Sequence, residues 1–357
     1  MNRSAKLLSM LLLGAVFGAG TAKVHAQFGN SPEAQAAREK QLALEKTSPQ
    51  LKITEEHLTL VIPGHTIGET EGVAENSKGH LFVYSRTGMG GSARGGTAAE
   101  LFEFDENLKF VKLWGPDNYA ASFAHAVRVD KYDNVWMVDE GSGMIVKFDP
   151  NGNVKMTLGR KPEAIDYLER FVERDEKVTE RYPVGTMGTF NRETDIAWDA
   201  QDNMYVSDGY GNSRVVKISK DGTWIKAVGT HGNGENQFNT PHGIAVDKEA
   251  GLVYVADRGN LRIQVYDTDL NFKKSITGIA MPWSVQVTPK YIYSGDGTGK
   301  IYQLDHSGKL LGWAQTGMGM GQTGCIIHAL HAEGDNVLYR GSCSEWDVEK
   351  ITIKSGS

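Results

Sequence analysis

The 357-residue sequence predicts an all-β protein, a six-bladed β-propeller with a short N-terminal helical extension. Two observations lead to this fold class. Most of the chain repeats one pattern of short apolar strands, and Asp-Asn, Asn-Gly and Asp-Gly pairs mark the turns between them. The repeat is roughly 40–50 residues long, which is the length of one four-stranded propeller blade.

Three copies of the repeat are strong, and each contains an inner strand, a second strand that ends in Asp and a third strand. They occupy residues 127–130, 135–139 and 145–148, residues 196–199, 204–208 and 214–218, and residues 244–247, 253–257 and 262–266. Weaker copies begin at Val73, Val285 and Leu330. The six copies predict six blades, and residues 57–62 are expected to supply the strand that closes the ring against the last blade.

The first 26 residues have the order of a secretory signal. Arg3 and Lys6 precede an apolar run, and small residues lead to a predicted cleavage after Ala26. The run is short for a membrane span. We therefore expect a secreted or periplasmic protein, with a buried N-terminal helix as the alternative.

The rest of the chain divides at about residue 53. Residues 27–52 are expected to form a polar helical linker, and residues 53–357 the propeller. The formal net charge is −6, and removal of the three basic residues of the signal would make it −9. Nucleic-acid binding needs basic surfaces, so an acidic chain disfavours it. We also expect no membrane span.

Three histidines occupy one position of the repeat. The residues just before the six inner strands are, in order, Glu71, His125, Thr194, His242, Trp283 and His328. Alternate blades of a six-fold ring are about 120° apart and inner strands line its channel, so the three imidazoles are expected to converge. Three neutral histidines with one open position form a typical zinc site. Taken singly, each would more often be an ordinary surface or core residue.

Three further side chains follow the second strands of their blades and are expected near the same mouth. They are Arg86, Tyr210 and Arg258. An arginine there suits a carboxylate, because its planar fork makes paired hydrogen bonds. A tyrosine between two cations and a metal suits a general base. Rim salt bridges for the arginines, and packing for Tyr210, are the alternatives.

Several phrases of the sequence resemble one known family. They are VSDGYGNSR at 206–214, FNTPH at 238–242, and VADR with RIQ at 255–258 and 262–264. They closely resemble the peptidyl-α-hydroxyglycine α-amidating lyase (peptidylamidoglycolate lyase) family, six-bladed propellers of the NHL-repeat type. The resemblance runs from about Gly72 to the C-terminus, and the VADR phrase also occurs in non-enzymatic NHL propellers.

The resemblance implies a Zn²⁺ ion on His125, His242 and His328, and catalytic roles for Tyr210, Arg86 and Arg258. It also implies a structural Ca²⁺ on backbone oxygens at Val73 and Val127. The family's third calcium ligand is an Asp after the third histidine, and this position is Ala329 here. The family's Met before the third histidine is Ile326, and its disulfide positions are not retained.

Cys325 and Cys343 flank the inner and second strands of the sixth copy. If the chain folds back near residues 334–336, the two residues lie on neighbouring strands at a distance that suits a disulfide. Two independent buried thiols are the alternative.

Two segments border the predicted mouth. The glycine-rich stretch 87–92 follows the second strand of the first copy, and a charged insertion at 160–189 has helical spacing at 164–171. Long ordered insertions are often functional lids, and a solvated surface helix is the alternative.

The activity that the resemblance implies is cleavage of the C–N bond of a peptidyl-α-hydroxyglycine, or a related carbinolamide, to an amide and glyoxylate. Zn²⁺ would stabilise the oxyanion, Tyr210 would take the hydroxyl proton, Arg86 would hold the carboxylate, and Arg258 would tune Tyr210. The substrate would be a small peptide or another hydroxylated amide, made by a separate hydroxylating enzyme or taken from the environment.

Two alternatives remain. A non-catalytic NHL-type propeller, acting as an extracytoplasmic binding module, explains the repeats and the signal equally well. It does not explain three histidines on alternate blades beside Tyr210 and Arg86. A lactonase-type propeller would centre Ca²⁺ on Asp, Asn or Glu side chains rather than on histidines.

Overall fold

The computed structural model describes residues 32–87, 99–160, 187–317 and 324–354. The predicted signal, most of the glycine-rich stretch and the 164–171 segment of the insertion lie outside the described residues.

Six four-stranded antiparallel sheets form the blades of a propeller, and this confirms the predicted fold class. The first strand, β1 (Ile53–His57), belongs to the sixth sheet. Blade one contains β2 (Glu69–Glu75), β3 (Leu81–Arg86), β4 (Ala99–Phe104) and β5 (Phe110–Trp114). Blade two contains β6 (Ala124–Val129), β7 (Val135–Asp139), β8 (Met144–Phe148) and β9 (Val154–Gly159). Blade three contains β10 (Asp195–Trp198), β11 (Met204–Asp208), β12 (Arg214–Ile218) and β13 (Trp224–Val228).

A short parallel pair, β14 (Thr230–His231) and β15 (Gln237–Phe238), leads into the second half of the ring. Blade four contains β16 (Pro241–Asp247), β17 (Leu252–Asp257), β18 (Arg262–Asp267) and β19 (Phe272–Thr277). Blade five contains β20 (Pro282–Val287), β21 (Ile292–Asp296), β22 (Lys300–Leu304) and β23 (Leu310–Gln315). Blade six contains β24 (Ala329–Glu333), β25 (Val337–Ser342), β26 (Asp347–Ile353) and β1.

The core consists of hydrophobic clusters between neighbouring blades. Strands in the middle of a blade, such as β7 and β11, are buried on both faces because a blade packs against each side. Outer strands such as β13 are only partly buried. This radial difference explains why the second strand of each copy reads as a continuous apolar run rather than an alternating one.

The ring is closed by an N-terminal strand, as predicted, but the strand is β1 and not residues 57–62. Its register with β26 runs from Ile53 opposite Ile353 to His57 opposite Glu349. Only His57 belongs to both the predicted and the observed strand. Leu58 makes one further hydrogen bond to this edge, from its N–H to the Val348 carbonyl at 3.0 Å, and the side chains of Leu58 and Ile62 are buried in the cluster between blades six and one. The prediction was wrong because these apolar residues fill an interblade gap instead of extending the sheet.

The described part of the N-terminal extension is one helix, α1 (Pro32–Thr47). It docks on blade five, where the Glu45 carboxylate accepts hydrogen bonds from Lys300 at 2.8 Å and from Tyr302 at 2.6 Å. The Trp313 indole also donates to the Glu45 carbonyl at 3.1 Å. Within the described ranges, the structure contains no helix with the length and apolarity needed to cross a membrane.

A disulfide joins Cys325 and Cys343, with 5.4 Å between their Cα atoms. This confirms the predicted pairing and excludes two independent thiols. The bond ties the segment before β24 to the residue after β25. It therefore anchors the chain that leads into His328.

We expect Cys343→Ser to lower the free energy of unfolding by about 3 kcal/mol, because it opens a covalent loop with a sequence separation of 18 residues. Denaturant titration monitored by tryptophan fluorescence measures the change. Wild-type protein held in a reductant is the control and should unfold like the variant. Equal stabilities of oxidised wild type and variant would contradict the prediction.

Candidate metal centre

The three histidines of the predicted register lie where inner strands begin, and β-bulges place two of them. In β6, Ala124 and Ala126 oppose consecutive residues of β7, so His125 is an extra residue in the strand. His242 lies within the corresponding irregularity of β16. His328 precedes β24, and its N–H donates to the Gly341 carbonyl at 3.0 Å. A bulge turns a side chain away from the regular pleat, and here the imidazoles point toward the channel.

The structure brings the three imidazoles together. Ring centroids are 4.6 Å apart for His125 and His242, 4.6 Å for His125 and His328, and 4.9 Å for His242 and His328. One ring nitrogen of each lies within 4.8 Å of the others. The residues are only 2–5% exposed. This arrangement can hold a single metal ion.

The orientation of each ring is set by the next blade. Nδ1 of His125 lies 2.6 Å from the Thr194 carbonyl oxygen, and Nδ1 of His242 lies 2.6 Å from that of Trp283. Nδ1 of His328 lies 2.7 Å from the carbonyl oxygen of Glu71. A carbonyl only accepts hydrogen bonds, so each Nδ1 carries a proton and each Nε2 is the ring nitrogen turned away from that carbonyl. The three acceptors are the remaining members of the predicted register.

The electrostatics of the site keep two of the rings neutral. Burial lowers the pKa of His125 well below 6.5, and the charges of His242, His328 and Arg86 lower it further. Burial also lowers the pKa of His242, together with the charge of Arg258. Among the described residues, the buried Nε2 of His125 has no hydrogen-bond partner. Neutral imidazoles with inward lone pairs fit a Zn²⁺ ion.

Glu71 lies beside the histidines, and sequence reasoning gave it no role. Its Oε2 is 2.9 Å from Nε2 of His328, and its Oε1 is 2.8 Å from Nη1 of Arg86. Burial raises the pKa of this carboxyl, but the charges of Arg86 and His328 outweigh burial and hold the pKa below 4.5. Glu71 therefore couples a metal-binding histidine to one of the predicted arginines. One of its carboxylate oxygens also lies within 4.8 Å of both disulfide sulfurs.

Arg86 lies at the mouth as predicted, but acidic side chains surround it. Besides Glu71, Glu69 lies 3.4 Å from Nη1, and Glu140 lies 3.7 Å from Nη2. Its guanidinium also stacks on the ring of Phe123 at 3.4 Å from the centroid. The salt bridge that we considered as the alternative role of Arg86 is therefore present. It lies inside the mouth rather than on its rim.

Tyr210 reaches the centre because the loop before it packs tightly. A Cβ atom at Gly209 would collide with the carbonyl of Pro241, the residue before His242. The Tyr210 hydroxyl consequently lies 3.3 Å from Nε2 of His242. Nη1 of Arg258 donates to the same hydroxyl at 3.2 Å. The glycine of the Asp-Gly-Tyr phrase is thus required by packing against the next blade.

Arg258 differs from Arg86 in its partners. Its guanidinium lies 4.3 Å from the ring centroid of Trp283 and 5.1 Å from that of Tyr210. Within the described ranges, no carboxylate forms an ion pair with Arg258, although the residue is 7% exposed.

A third cation, Arg192, was missed from the sequence. Its guanidinium lies 4.7 Å from the ring centroid of Tyr210, and its carbonyl accepts the Tyr210 N–H at 3.3 Å. Glu140 accepts from Nε of Arg192 at 2.7 Å and also lies 3.9 Å from Nε2 of His125. Arg192 follows the insertion and matches no repeat position, so periodicity could not identify it.

The residues expected to hold Ca²⁺ do not fit that ion well. Calcium takes six to eight oxygen ligands. The predicted set offers two backbone carbonyls, at Val73 and Val127, and a methyl group at Ala329. The guanidinium of Arg128 lies in the same part of the channel and donates to the carbonyl of Leu330 at 3.1 Å. A fixed cation at this level disfavours a second one.

We expect the metal-stripped protein to lose stability as the pH falls below about 6.5, since the folded state holds His125 and His242 neutral. The unfolded chain then binds more protons than the folded one, so the free energy of unfolding decreases with decreasing pH. Each histidine contributes up to about 1.4 kcal/mol per pH unit. Denaturant titrations between pH 7 and 5 should give a shallower slope for His125→Gln. Identical slopes for variant and wild type would contradict the prediction.

Comparison with known proteins agrees with this architecture. A model of the NHL repeat matches residues 238–266, which run from β15 to β18. Streptogramin B lyase has a similar structure, with a TM-score of 0.56 and 12% identity over 85% of this chain and 98% of that one. Virginiamycin B lyase from Staphylococcus aureus also has a TM-score of 0.56 and 12% identity, over 85% of this chain and 100% of that one. At this identity the likeness shows the fold alone.

Curated relatives include a probable peptidyl-alpha-hydroxyglycine alpha-amidating lyase of Caenorhabditis elegans, 26% identical over 230 residues and 60% of each chain. NHL repeat-containing protein 3 of Mus musculus is 31% identical over 188 residues, or 49% of this chain and 47% of that protein. Peptidyl-alpha-hydroxyglycine alpha-amidating lyase 1 of Drosophila melanogaster is 27% identical over 164 residues, which are 43% of this chain and 26% of that protein. The matches thus span less than two thirds of these relatives' own length. The chain is a six-bladed β-propeller with an NHL repeat, similar in sequence to proteins named as amidating lyases.

Proposed function

We propose that the protein is a zinc-dependent lyase that breaks the C–N bond of a peptidyl-α-hydroxyglycine, or a related carbinolamide, and releases an amide and glyoxylate. The proposal depends mainly on one observation. One ring nitrogen from each of three buried imidazoles lies within 4.8 Å of the others, and the hydroxyl of Tyr210 lies 3.3 Å from Nε2 of His242. The similarity to proteins named as amidating lyases supports the same reaction class.

His125, His242 and His328 would hold the ion, and the Tyr210 hydroxyl lies 3.3 Å from Nε2 of His242. A bound Zn²⁺ ion would supply Lewis-acid stabilisation of the negative charge that develops on the substrate oxygen. The carbonyl acceptors of the next blade keep each ring in the correct tautomer, which raises the basicity of the ligands.

Tyr210 is the group placed to move the proton. The substrate hydroxyl loses its proton to the phenolate oxygen as the C–O bond becomes a carbonyl. The electrons of the C–N bond pass to the amide nitrogen, which takes a proton back, so no proton is gained or lost overall. The guanidinium groups of Arg258 and Arg192 lie 5.1 and 4.7 Å from the Tyr210 ring centroid, where they would offset negative charge that develops during the reaction.

The glyoxylate carboxylate needs a cationic partner, and Arg258 suits this role better than Arg86. Arg86 is already paired with Glu71, whereas no described carboxylate pairs with Arg258. We therefore assign Arg258 both to Tyr210 and to the substrate carboxylate. Arg86 would orient Glu71 against His328, or exchange Glu71 for the substrate.

We also propose that the protein acts outside the cytoplasm, after cleavage following Ala26. The signal-like order of residues 1–26 supports this location, and the Cys325–Cys343 disulfide is typical of an oxidising compartment. A substrate with a C-terminal hydroxyglycine would come from a separate hydroxylating enzyme.

A second candidate function is a non-catalytic binding module. The similarity to NHL repeat-containing protein 3, at 31% identity, favours it. Metal analysis of the purified protein, combined with a glyoxylate assay on an N-acyl-α-hydroxyglycine, separates the two. Zinc with glyoxylate release supports the lyase, zinc alone supports a different metalloenzyme, and neither supports the binding module.

Tyr210→Phe should retain zinc and lower kcat by about 10²–10⁴-fold, because the ring stays in place and only the proton acceptor is lost. Elemental analysis and the glyoxylate assay measure the two quantities. Tyr132→Phe is the matched control, since it removes a hydroxyl that bonds Asp202 at an exposed site. An unchanged kcat for Tyr210→Phe would remove this residue from the reaction.

His242→Ala should abolish stoichiometric zinc binding, because two imidazoles remain where a tight site needs three protein ligands. Elemental analysis after dialysis measures the metal content. His231→Ala, on the exposed strand β14, is the matched control and should bind zinc like the wild type. Full zinc occupancy of His242→Ala would show that the metal binds elsewhere.

A further inference from the structure

The channel directly beneath the histidines has an unusual lining. The residues that follow the six register positions are Gly72, Ala126, Asp195, Gly243, Ser284 and Ala329. Small residues are needed here because the inner strands approach closely, and a Cβ atom at Gly72 would collide with the backbone of Val127. Asp195 is the exception, and it has a partner, Arg128, which lies three residues after His125.

Arg128 and Asp195 form a two-pronged ion pair across two blades. Nε of Arg128 donates to Oδ1 of Asp195 at 2.8 Å, and Nη2 donates to Oδ2 at 2.7 Å. The side chains are 12% and 3% exposed. Paired charged hydrogen bonds of this kind set both distance and orientation.

The pair contacts the chain close to each of the three histidines. Arg128 itself lies on β6 with His125. Its Nη1 donates to the carbonyl of Leu330, two residues after His328, at 3.1 Å. Oδ2 of Asp195 accepts the N–H of Ile244, two residues after His242, at 3.2 Å. The remaining oxygen, Oδ1, also accepts the N–H of Ile196 in β10 at 2.9 Å.

The channel at this level is nearly filled. A cavity lined by the histidines, Arg128 and Asp195 measures about 10 Å³, which is about the least that holds one water molecule. The positive charge at this level of the channel is thus that of the Arg128 guanidinium.

We infer that the Arg128–Asp195 pair is an internal brace that sets the spacing of the three histidines and takes the place of a bound Ca²⁺ ion. The family pattern would put the axial carboxylate after the third histidine, where this chain has Ala329. Here the carboxylate is that of Asp195, one residue after the register position Thr194 of blade three. The guanidinium of Arg128 neutralises it. Arg128 is a positioning residue, since it meets no reacting atom.

The first test measures metal affinity, and this arm rests on the proposed zinc site. Arg128→Met should weaken zinc binding about 10–100-fold, as loss of a supporting contact does at other metal sites. It should also change the visible spectrum of the Co²⁺-substituted protein, because that spectrum reports ligand geometry. Arg128→Lys should recover part of the affinity.

Lys300→Met is the matched control, because it removes an ion pair with Glu45 that touches no histidine strand. It should lower the melting temperature without changing zinc affinity or the Co²⁺ spectrum. If Arg128→Met does not fold, Asp195→Asn, which keeps the shape of the side chain, is tested in its place. Wild-type affinity and spectrum in both Arg128→Met and Asp195→Asn would overturn the inference.

The second test does not depend on zinc. Added Ca²⁺ should leave the melting temperature of metal-stripped wild-type protein unchanged, because a guanidinium already neutralises Asp195. A Ca²⁺-dependent increase in melting temperature, with Ca²⁺ binding measured by calorimetry, would overturn the inference that the Arg128–Asp195 pair takes the place of Ca²⁺. Wild-type protein that binds no zinc but is also insensitive to Ca²⁺ would contradict the proposed function and leave the brace supported.

Discussion

The candidate metal centre depends on a hydrogen bond that crosses from one blade to the next. Each histidine Nδ1–H meets a backbone carbonyl 2.6–2.7 Å away, in the adjacent blade. The bond fixes both the direction of the ring and the nitrogen that carries the proton. Because the acceptors belong to the backbone of inner strands, the geometry of the centre follows the closure of the ring. Separate blades could not hold it.

Charge compensation is the second feature that shapes the mouth. Arg86 and Arg192 lie beside the buried carboxylates Glu71 and Glu140, which neutralise them in a region of low dielectric. Arg258 stacks on Trp283 and Tyr210 without such a partner among the described residues. Around the three imidazoles and the phenol of Tyr210, the described carboxylates thus neutralise two of the three guanidinium groups.

Sequence reasoning predicted the parts of the molecule that repeat. The blade pattern, the shared position of His125, His242 and His328, and the Cys325–Cys343 bond all appear in the structure. Periodicity is a local property, so it can be read along one strand. The closing strand was misplaced, because apolar residues after His57 pack between blades instead of pairing in a sheet.

Contacts between distant segments could not be read in this way. Glu140, Arg192 and Glu71 reach the site from loops and from a register position without obvious chemistry. The Arg192–Glu140 contact joins residues 52 positions apart in the chain, and the His328–Glu71 contact joins residues 257 positions apart. The sequence by itself determined six apolar repeats and the positions of three imidazoles on alternate ones. Only the tertiary structure decided which nitrogen of each ring faces the channel, which arginine has no carboxylate partner among the described residues, and which ion pair lies beside the histidines. Those properties arise when blades meet, because a bulge, a carbonyl and a guanidinium from different blades must share one small, water-poor space.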